Sequence, residues 1–542
     1  MLVKTSNILS NLLYIVFLIF IFIAVTLSIY TLFFPSEYYY HLEMRHDDVS
    51  SIFLSLFSKG VSLFLLILSL VVLYFIFIKT KTGEADKTTF NDVFFIFTTA
   101  LCLRLIFLFF YGNFVAPVSD FQQAHVTAQG WASQEFLDNY RMWTNWAVYS
   151  VLLSLWYELT ISTFASAQFL NVILTSATAV LIYVLAGHIT NKRSIAIISA
   201  MLFSLYLPNI LNNALLHMDN IAAFLICVML LLILLMKKQK SWRKYYLLCI
   251  LAGITGGIEN SIKTMSYIVI IAYFICELLD ILRNSEKDNN TLIDKAKPYL
   301  KLISSFVLMF VILSLTSNAI MRFAERELGI EFVEAKNITV GVIYAGLQPS
   351  GEGQIHLGNN PKYYMAMLEK TGGNHDLARE MTYDFLWKDI KENPGQFALL
   401  FPQKFRWAWQ DDTMPAFYVF ITPAGNMVSL FQSQDEISPR LLYISRVIFP
   451  VLSQMFYIIL MLFTAIGLIK IIKDKNTMYP LHNYGYLLLS LYCFGFFFLL
   501  IIMEAQSRYK IMIIPCLCIF AGYGLYISMS YFSNKIRNKK NG

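Results

Sequence analysis

Charge is scarce in this chain. Only 14% of its 542 residues are Asp, Glu, Lys or Arg, against 57% that are hydrophobic, and so few charges cannot cover the surface of a soluble enzyme of this length. Cysteine is sparse too, and all seven cysteines (Cys102, Cys227, Cys516 and Cys518 among them) lie inside apolar runs. Cys516 and Cys518 have no His or Cys nearby at zinc-ligand spacing, so neither a zinc site nor a disulfide framework is expected. Soluble-domain repeats and low-complexity tracts are absent. The formal charge of +7 is split among short clusters between apolar runs, which is no nucleic-acid signature.

What is present is apolar length. Spans fall near residues 8–34, 61–79, 91–111, 164–188, 194–210, 217–236, 245–258, 264–282, 300–319, 443–470, 482–503 and 510–532, most of them long enough to cross ~30 Å of hydrocarbon. The run Ile8 to Phe34 is too long for a signal-peptide core and has no small-residue cleavage site after it, so a retained span is expected. Basic clusters at Lys79/Lys81/Lys87, Lys192/Arg193, Lys237 to Lys244, Lys295/Lys297/Lys301, Lys470/Lys473/Lys475 and Lys535 to Lys540 share the cytoplasmic side only if residues 143–157 do not cross. That segment then becomes a surface or re-entrant helix with Trp143, Trp146, Trp156 and Tyr157 as interfacial anchors. The expected class is an all-α polytopic membrane protein of about twelve spans, with both termini cytoplasmic. Four parts are expected: two N-terminal spans (1–89), a transmembrane core (90–320), a mostly helical extracytoplasmic block (321–440) and the C-terminal spans (441–542). Within the block, Asn337 to Asn360 reads as loop and Tyr363 to Trp409 as helix broken at Asn393-Pro394-Gly395.

This orientation gathers polar chemistry on the outer side. Pro117 ends the preceding helix, and Ser119 with Gln122 has capping-box spacing, so Asp120 falls on the first turn of a new helix with Gln123 and Thr127 on its face. A carboxylate there also suits the positive end of a helix dipole without any catalytic role. His217 and Asp219 occupy a later outer turn, where Asp219 serves equally well as a helix cap. Glu259 and Lys263, and again Glu504 and Arg508, stand four apart, the spacing of intrahelical ion pairs. Arg104 lies inside the third span, where a charge either serves a function or snorkels outward. Lys404 and Arg406 belong to an aromatic, basic segment suited to lipid headgroups. Asp120, His125, His217 and Asp219 together could hold a divalent metal, although no fixed ligand spacing supports it.

An outward site makes nucleotide-sugars and ATP, which are held in the cytoplasm, poor candidates for the donor. The group transferred must arrive on a lipid carrier, such as a polyprenyl phosphate. Such a site pairs a carboxylate, to take the acceptor hydroxyl proton, with cations for the leaving phosphate. The assignments are Asp120 and Asp219 to catalysis, and Arg104, Lys263, Lys404, Arg406 and Arg508 to the donor phosphate. Gln123, His125, His217, Glu259, Glu504 and Tyr509 are assigned to the sugar or acceptor.

Four short motifs then resemble the GT-C superfamily of membrane glycosyltransferases, in its bacterial branch related to protein O-mannosyltransferases and aminoarabinose transferases. They are Pro117-Val-Ser-Asp-Phe121, Ala167-Gln-Phe-Leu-Asn171 with Tyr183-Val-Leu-Ala186, Leu205-Tyr-Leu-Pro208 ahead of His217 and Asp219, and Arg508-Tyr509 with Pro515. The resemblance covers about residues 90 to 530. It implies a lipid-phosphate-linked sugar donor, inversion at the anomeric carbon, and an outward cavity roofed by an external domain. It also implies Asp120 as base and Asp219 as the second acid. Two departures stand out: Ser119 and Phe121 flank Asp120 where the family has an acidic pair, and Thr264 follows Lys263 where the family has proline.

A glycan, lipid or protein acceptor, the bilayer and a bacterial cytoplasmic membrane complete this expectation. An oligosaccharide polymerase or ligase using a diphosphate carrier is a second reading. A flippase or transporter is a third, disfavoured because the polar groups gather at one face and no paired halves occur.

Overall fold

The computed structural model describes residues 2–33, 49–81, 89–112, 119–134, 137, 140, 143–284, 292–332, 343–344, 346–347, 366–420, 439–474, 480–503 and 505–541. Among the described residues the chain is helical throughout, without a strand. Backbone amides in hydrocarbon have no water to bond, so helices that satisfy them internally are the natural outcome of this composition. Thr89 and Thr163 begin two of these helices by accepting from Asp92 N and Ser166 N at 3.3 Å each.

Eight described helices are long and apolar enough to cross a membrane: Ile8–Leu32, Phe90–Tyr111, Phe164–Thr190, Asp219–Lys238, Ala296–Leu328, Ile448–Asp474, Asn483–Ile502 and Ile514–Lys535. The other four expected spans are also helical. Lys59–Phe75 is the apolar part of the 33-residue helix Val49–Lys81, and Arg193–Leu205 is a short apolar helix ended by the Tyr206 break before Leu207–Asn212. Trp242–Ile262 and Ser266–Asn284 are diluted by charges such as Arg243, Glu259, Glu277 and Asp280.

Close packing holds the bundle. Gly257 lets Trp242–Ile262 press against Leu292–Leu328, since a Cβ there would sit 2.5 Å from Thr316 Cβ and 2.7 Å from Leu313 O. The N-terminal helix Leu2–Phe33 is built into the core and packs on Pro439–Asp474, Ser266–Asn284 and Pro480–Ile502. Its Phe17 meets Phe497 and Phe520 edge-on at 5.9 and 5.6 Å, and its Phe20 stacks on Phe405 at 5.6 Å.

The two ends of the bundle differ. Basic clusters collect at one end: Arg193 pairs with Asp92 at 2.6 Å, Lys237 with Glu277 and Asp280 at 3.0 and 2.7 Å, and Lys301 lies 3.8 Å from the Tyr245 ring. The polar turns collect at the other. There Thr144–Leu159, 16 residues long, packs on Ser119–Ala128, Leu292–Leu328 and Trp242–Ile262. Two of its aromatics are bonded within the protein. Trp156 donates to Ser166 O at 3.0 Å, and Tyr157 is buried with its hydroxyl 2.6 Å from His125 Nδ1. Of residues 337–360 only four are described, while His375–Glu392 and Pro394–Trp409 form the expected helical pair about Asn393.

Candidate active site

Asp219 starts the helix Asp219–Lys238 and is fully buried. A carboxylate without water is tolerated only when paired, and here it has two partners. His217 Nδ1 lies 2.9 Å from Oδ2, and Lys263 Nζ lies 2.8 Å from Oδ1. Lys263 reaches Asp219 because its helix has ended: it sits just past Ile262, with φ −140°, and Thr264 follows at φ +61°. That region is strained for a β-branched residue, and proline, locked near −65°, cannot adopt it. The departure from the family's proline is therefore tied to how this turn aims Lys263.

The expected Glu259–Lys263 pair is not formed. Glu259 turns the other way and caps the next helix, accepting from Ser266 N at 2.7 Å, Ser266 Oγ at 2.6 Å and Met265 N at 3.2 Å.

A short 3-10 helix, Ser507–Met512, brings Arg508 and Tyr509 to the same place. Lys263 Nζ stands 4.6 Å from the centre of the Tyr509 ring, and the Arg508 guanidinium stands 5.4 Å from it. Two cations thus share one aromatic ring. Asp120 opens the helix Ser119–Ala128 next to Phe121, whose ring lies 5.6 Å from that of His217. Asp120 is half-buried and, among the described residues, makes no hydrogen bond or ion pair.

The other expected site residues have different employment. Arg104 is buried inside Phe90–Tyr111, donating from Nε to Thr175 Oγ1 at 2.9 Å and from Nη1 to Ala100 O at 3.1 Å. Lys404 is buried as well, its ammonium donating to Gly346 O and Ile501 O at 2.7 Å each. Arg406 is exposed and donates to Gln410 at 3.0 Å. His125 faces Tyr157 and Phe164. Gln123 is half-buried, and Glu504 lies outside the described residues. Among the described residues no three His, Cys, Asp or Glu side chains lie close enough to hold a metal ion.

One buried cluster beside the site had no part in the sequence argument. Tyr206 donates to Asp412, and Lys510, next to Tyr509, donates to Asp411 O and lies 3.8 Å from Asp412. Burial pushes the Asp412 carboxyl up, against the pull of Lys510 and Tyr206. The adjacent acids Asp411-Asp412 following Trp409 were the available signal, but their partners come from two distant turns.

Burial lowers the His217 imidazole below its ordinary 6.5; Asp219 opposes this, while Arg508 and Lys263 add to it. Burial lowers His125 as well. The unfolded chain therefore binds more protons than the folded one below pH 6.5, so this stability is complete above that value and is lost as pH falls. Melting curves from about pH 8 to about pH 5 are expected to show a falling midpoint, with a shallower fall in His125→Phe. Equal slopes would contradict this.

Residues 147–315 match the family model described as dolichyl-phosphate-mannose-protein mannosyltransferase. That match, over about a third of the chain, supports a membrane glycosyltransferase of the GT-C type. The matched segment contains His217, Asp219 and Lys263 of the glycosyltransferase, while Asp120, Arg508 and Tyr509 stand outside it. No curated protein and no solved structure matches the chain.

Proposed function

We propose that this glycosyltransferase moves a sugar from a polyprenyl-phosphate carrier to an extracytoplasmic acceptor, inverting the anomeric centre. One observation carries the reading: two cations, Lys263 and Arg508, share the Tyr509 ring, and Asp120, a carboxylate with no hydrogen bond or ion pair among the described residues, precedes Phe121, whose ring meets His217. Asp120 takes the proton from the acceptor hydroxyl as its oxygen attacks the anomeric carbon. The bond from that carbon to the phosphate oxygen breaks, and the electron pair leaves with the phosphate. A phosphate monoester is already a good leaving group, so it needs cations more than a proton, and Lys263 and Arg508 supply them. Asp219 holds Lys263 in place and keeps His217 beside it; it is too enclosed to meet the acceptor.

The test uses the purified chain in liposomes, with polyprenyl-phosphate mannose or a nucleotide-sugar as donor and bacterial envelope glycan as acceptor. Mass spectrometry should find sugar added only with the lipid donor, and NMR should find the opposite anomeric configuration. Transfer from the nucleotide-sugar alone, or retained configuration, overturns the proposal.

A further inference from the structure

Lys510 has no chemical role in the scheme above, yet it follows directly on Arg508 and Tyr509. It is fully buried, so its partners come from the chain itself. Its ammonium donates to Asp411 O and lies 3.8 Å from Asp412 Oδ1. The centre of the Tyr457 ring stands 4.3 Å from it and that of the Trp409 ring 5.9 Å. An ammonium taken out of water needs this company, because a buried charge that loses its counter-charge is costly.

Asp412 is buried and held in turn. The Tyr206 hydroxyl donates to its carboxylate, and its backbone nitrogen donates to Gln454 Oε1 at 3.3 Å. The turn that carries it is fastened by the same helix, Pro439–Asp474. Gln454 Nε2 donates to Gln410 O at 2.9 Å, and the Tyr457 hydroxyl donates to Trp409 O at 3.0 Å. Asp412 is thus a fixed point in the bundle, and Lys510 is tied to it. The segment that carries Lys510 is held less firmly by its own backbone. Ser507–Met512 is a 3-10 helix of six residues, a form with few and poorly aligned bonds. Three residues per turn send successive side chains about 120° apart, so Lys510 cannot swing about the axis without carrying Tyr509 and Arg508 with it.

We infer that Asp412 and Lys510 are positioning residues for sugar transfer: their buried ion pair fixes the rotation of Ser507–Met512, and thereby where Arg508 and Tyr509 stand beside Lys263. The inference rests on the role given above to Lys263 and Arg508 at the leaving phosphate. Its physical basis is that the two cations come from different elements. Lys263 follows the end of Trp242–Ile262, whereas Arg508 and Tyr509 ride on the 3-10 helix. They share one ring only while that helix keeps its rotation. Slippage of about 1 Å between reacting groups costs on the order of 10²-fold in rate.

The experiment measures transfer from polyprenyl-phosphate mannose to envelope glycan by the full chain in lipid nanodiscs. Asp412→Asn with Lys510→Met removes both charges together, which a buried site tolerates better than the loss of one. Its kcat is expected to fall about 10²-fold, with the melting temperature near that of the wild type. Tyr206→Phe removes one hydrogen bond to Asp412 and no charge. It should show a smaller loss of the same kind, so the inference does not depend on one variant folding. The deciding comparison repeats the Asp412–Lys510 pair of substitutions in an Arg508→Met background, itself expected to be about 10²- to 10³-fold slower. Residues that act by placing Arg508 should cost much less there, whereas independent damage multiplies. Asp92→Asn with Arg193→Met removes a charge pair at the opposite end of the bundle and should leave kcat unchanged. Wild-type kcat in the Asp412–Lys510 variant overturns the positioning role. A loss that persists in full in the Arg508→Met background also overturns it, as does one that follows a lowered melting temperature shared by the Asp92–Arg193 variant. Arg508→Met at the wild-type rate overturns the underlying phosphate reading instead.

Discussion

Asp120→Asn is expected to lower the transfer rate by roughly 10²- to 10⁴-fold, the usual worth of a positioned general base, with yield and melting temperature unchanged. The two halves of this expectation have separate causes. Asparagine is nearly the same shape but cannot take a proton, so chemistry is lost. Asp120 is half-buried and, among the described residues, bonds to nothing, so the fold loses only a favourable charge at a helix start, worth less than about 1 kcal/mol. Steady-state rates and melting curves on the same preparation separate the two. A variant with wild-type rate removes Asp120 from the reaction.

Lys263→Met should behave in the opposite way and damage the fold itself. It leaves Asp219 fully buried with only a neutral imidazole beside it. Breaking a buried pair from one side typically costs about 3–5 kcal/mol, whereas replacing both partners by neutral groups is often tolerated. The double variant Lys263→Met with Asp219→Asn is therefore expected to regain most of the lost stability and none of the activity. Unfolding of the two single variants and the double variant in one detergent gives the coupling directly. Additive losses would show that Lys263 and Asp219 do not act as a pair.

Much of the architecture was legible because hydrocarbon imposes it. Apolar runs located the helices, and Arg193, Lys237 and Lys301 meet their acidic or aromatic partners at one end of the bundle. The site was legible in its membership more than in its wiring. Asp219, His217, Lys263, Arg508 and Tyr509 do meet, yet spacing misdirected Lys263. A four-residue interval implies an ion pair with Glu259 only while the helix continues, and it stops at Ile262. Beyond that point the strained Thr264 turn decides where the ammonium goes. Arg104 and Lys404 illustrate a second limit. Each reads as a phosphate ligand by charge alone, and each is occupied by oxygens supplied from chain segments far away in sequence. The Tyr206–Asp412–Lys510 cluster escaped notice for the same reason.

The first helix shows how far such wiring extends. Ser28 O accepts from the Gln454 amide at 3.0 Å, the same amide donates to Gln410 O at 2.9 Å, and Gln454 Oε1 receives Asp412 N at 3.3 Å. Remove that helix, and Gln454 forfeits a partner one step from the acid that grips Lys510, while Phe497 and Phe520 lose the ring of Phe17. A segment that precedes the family-matched part of the chain is thus bonded into the packing around Asp412, and trimming the protein to residues 147–315 would remove it.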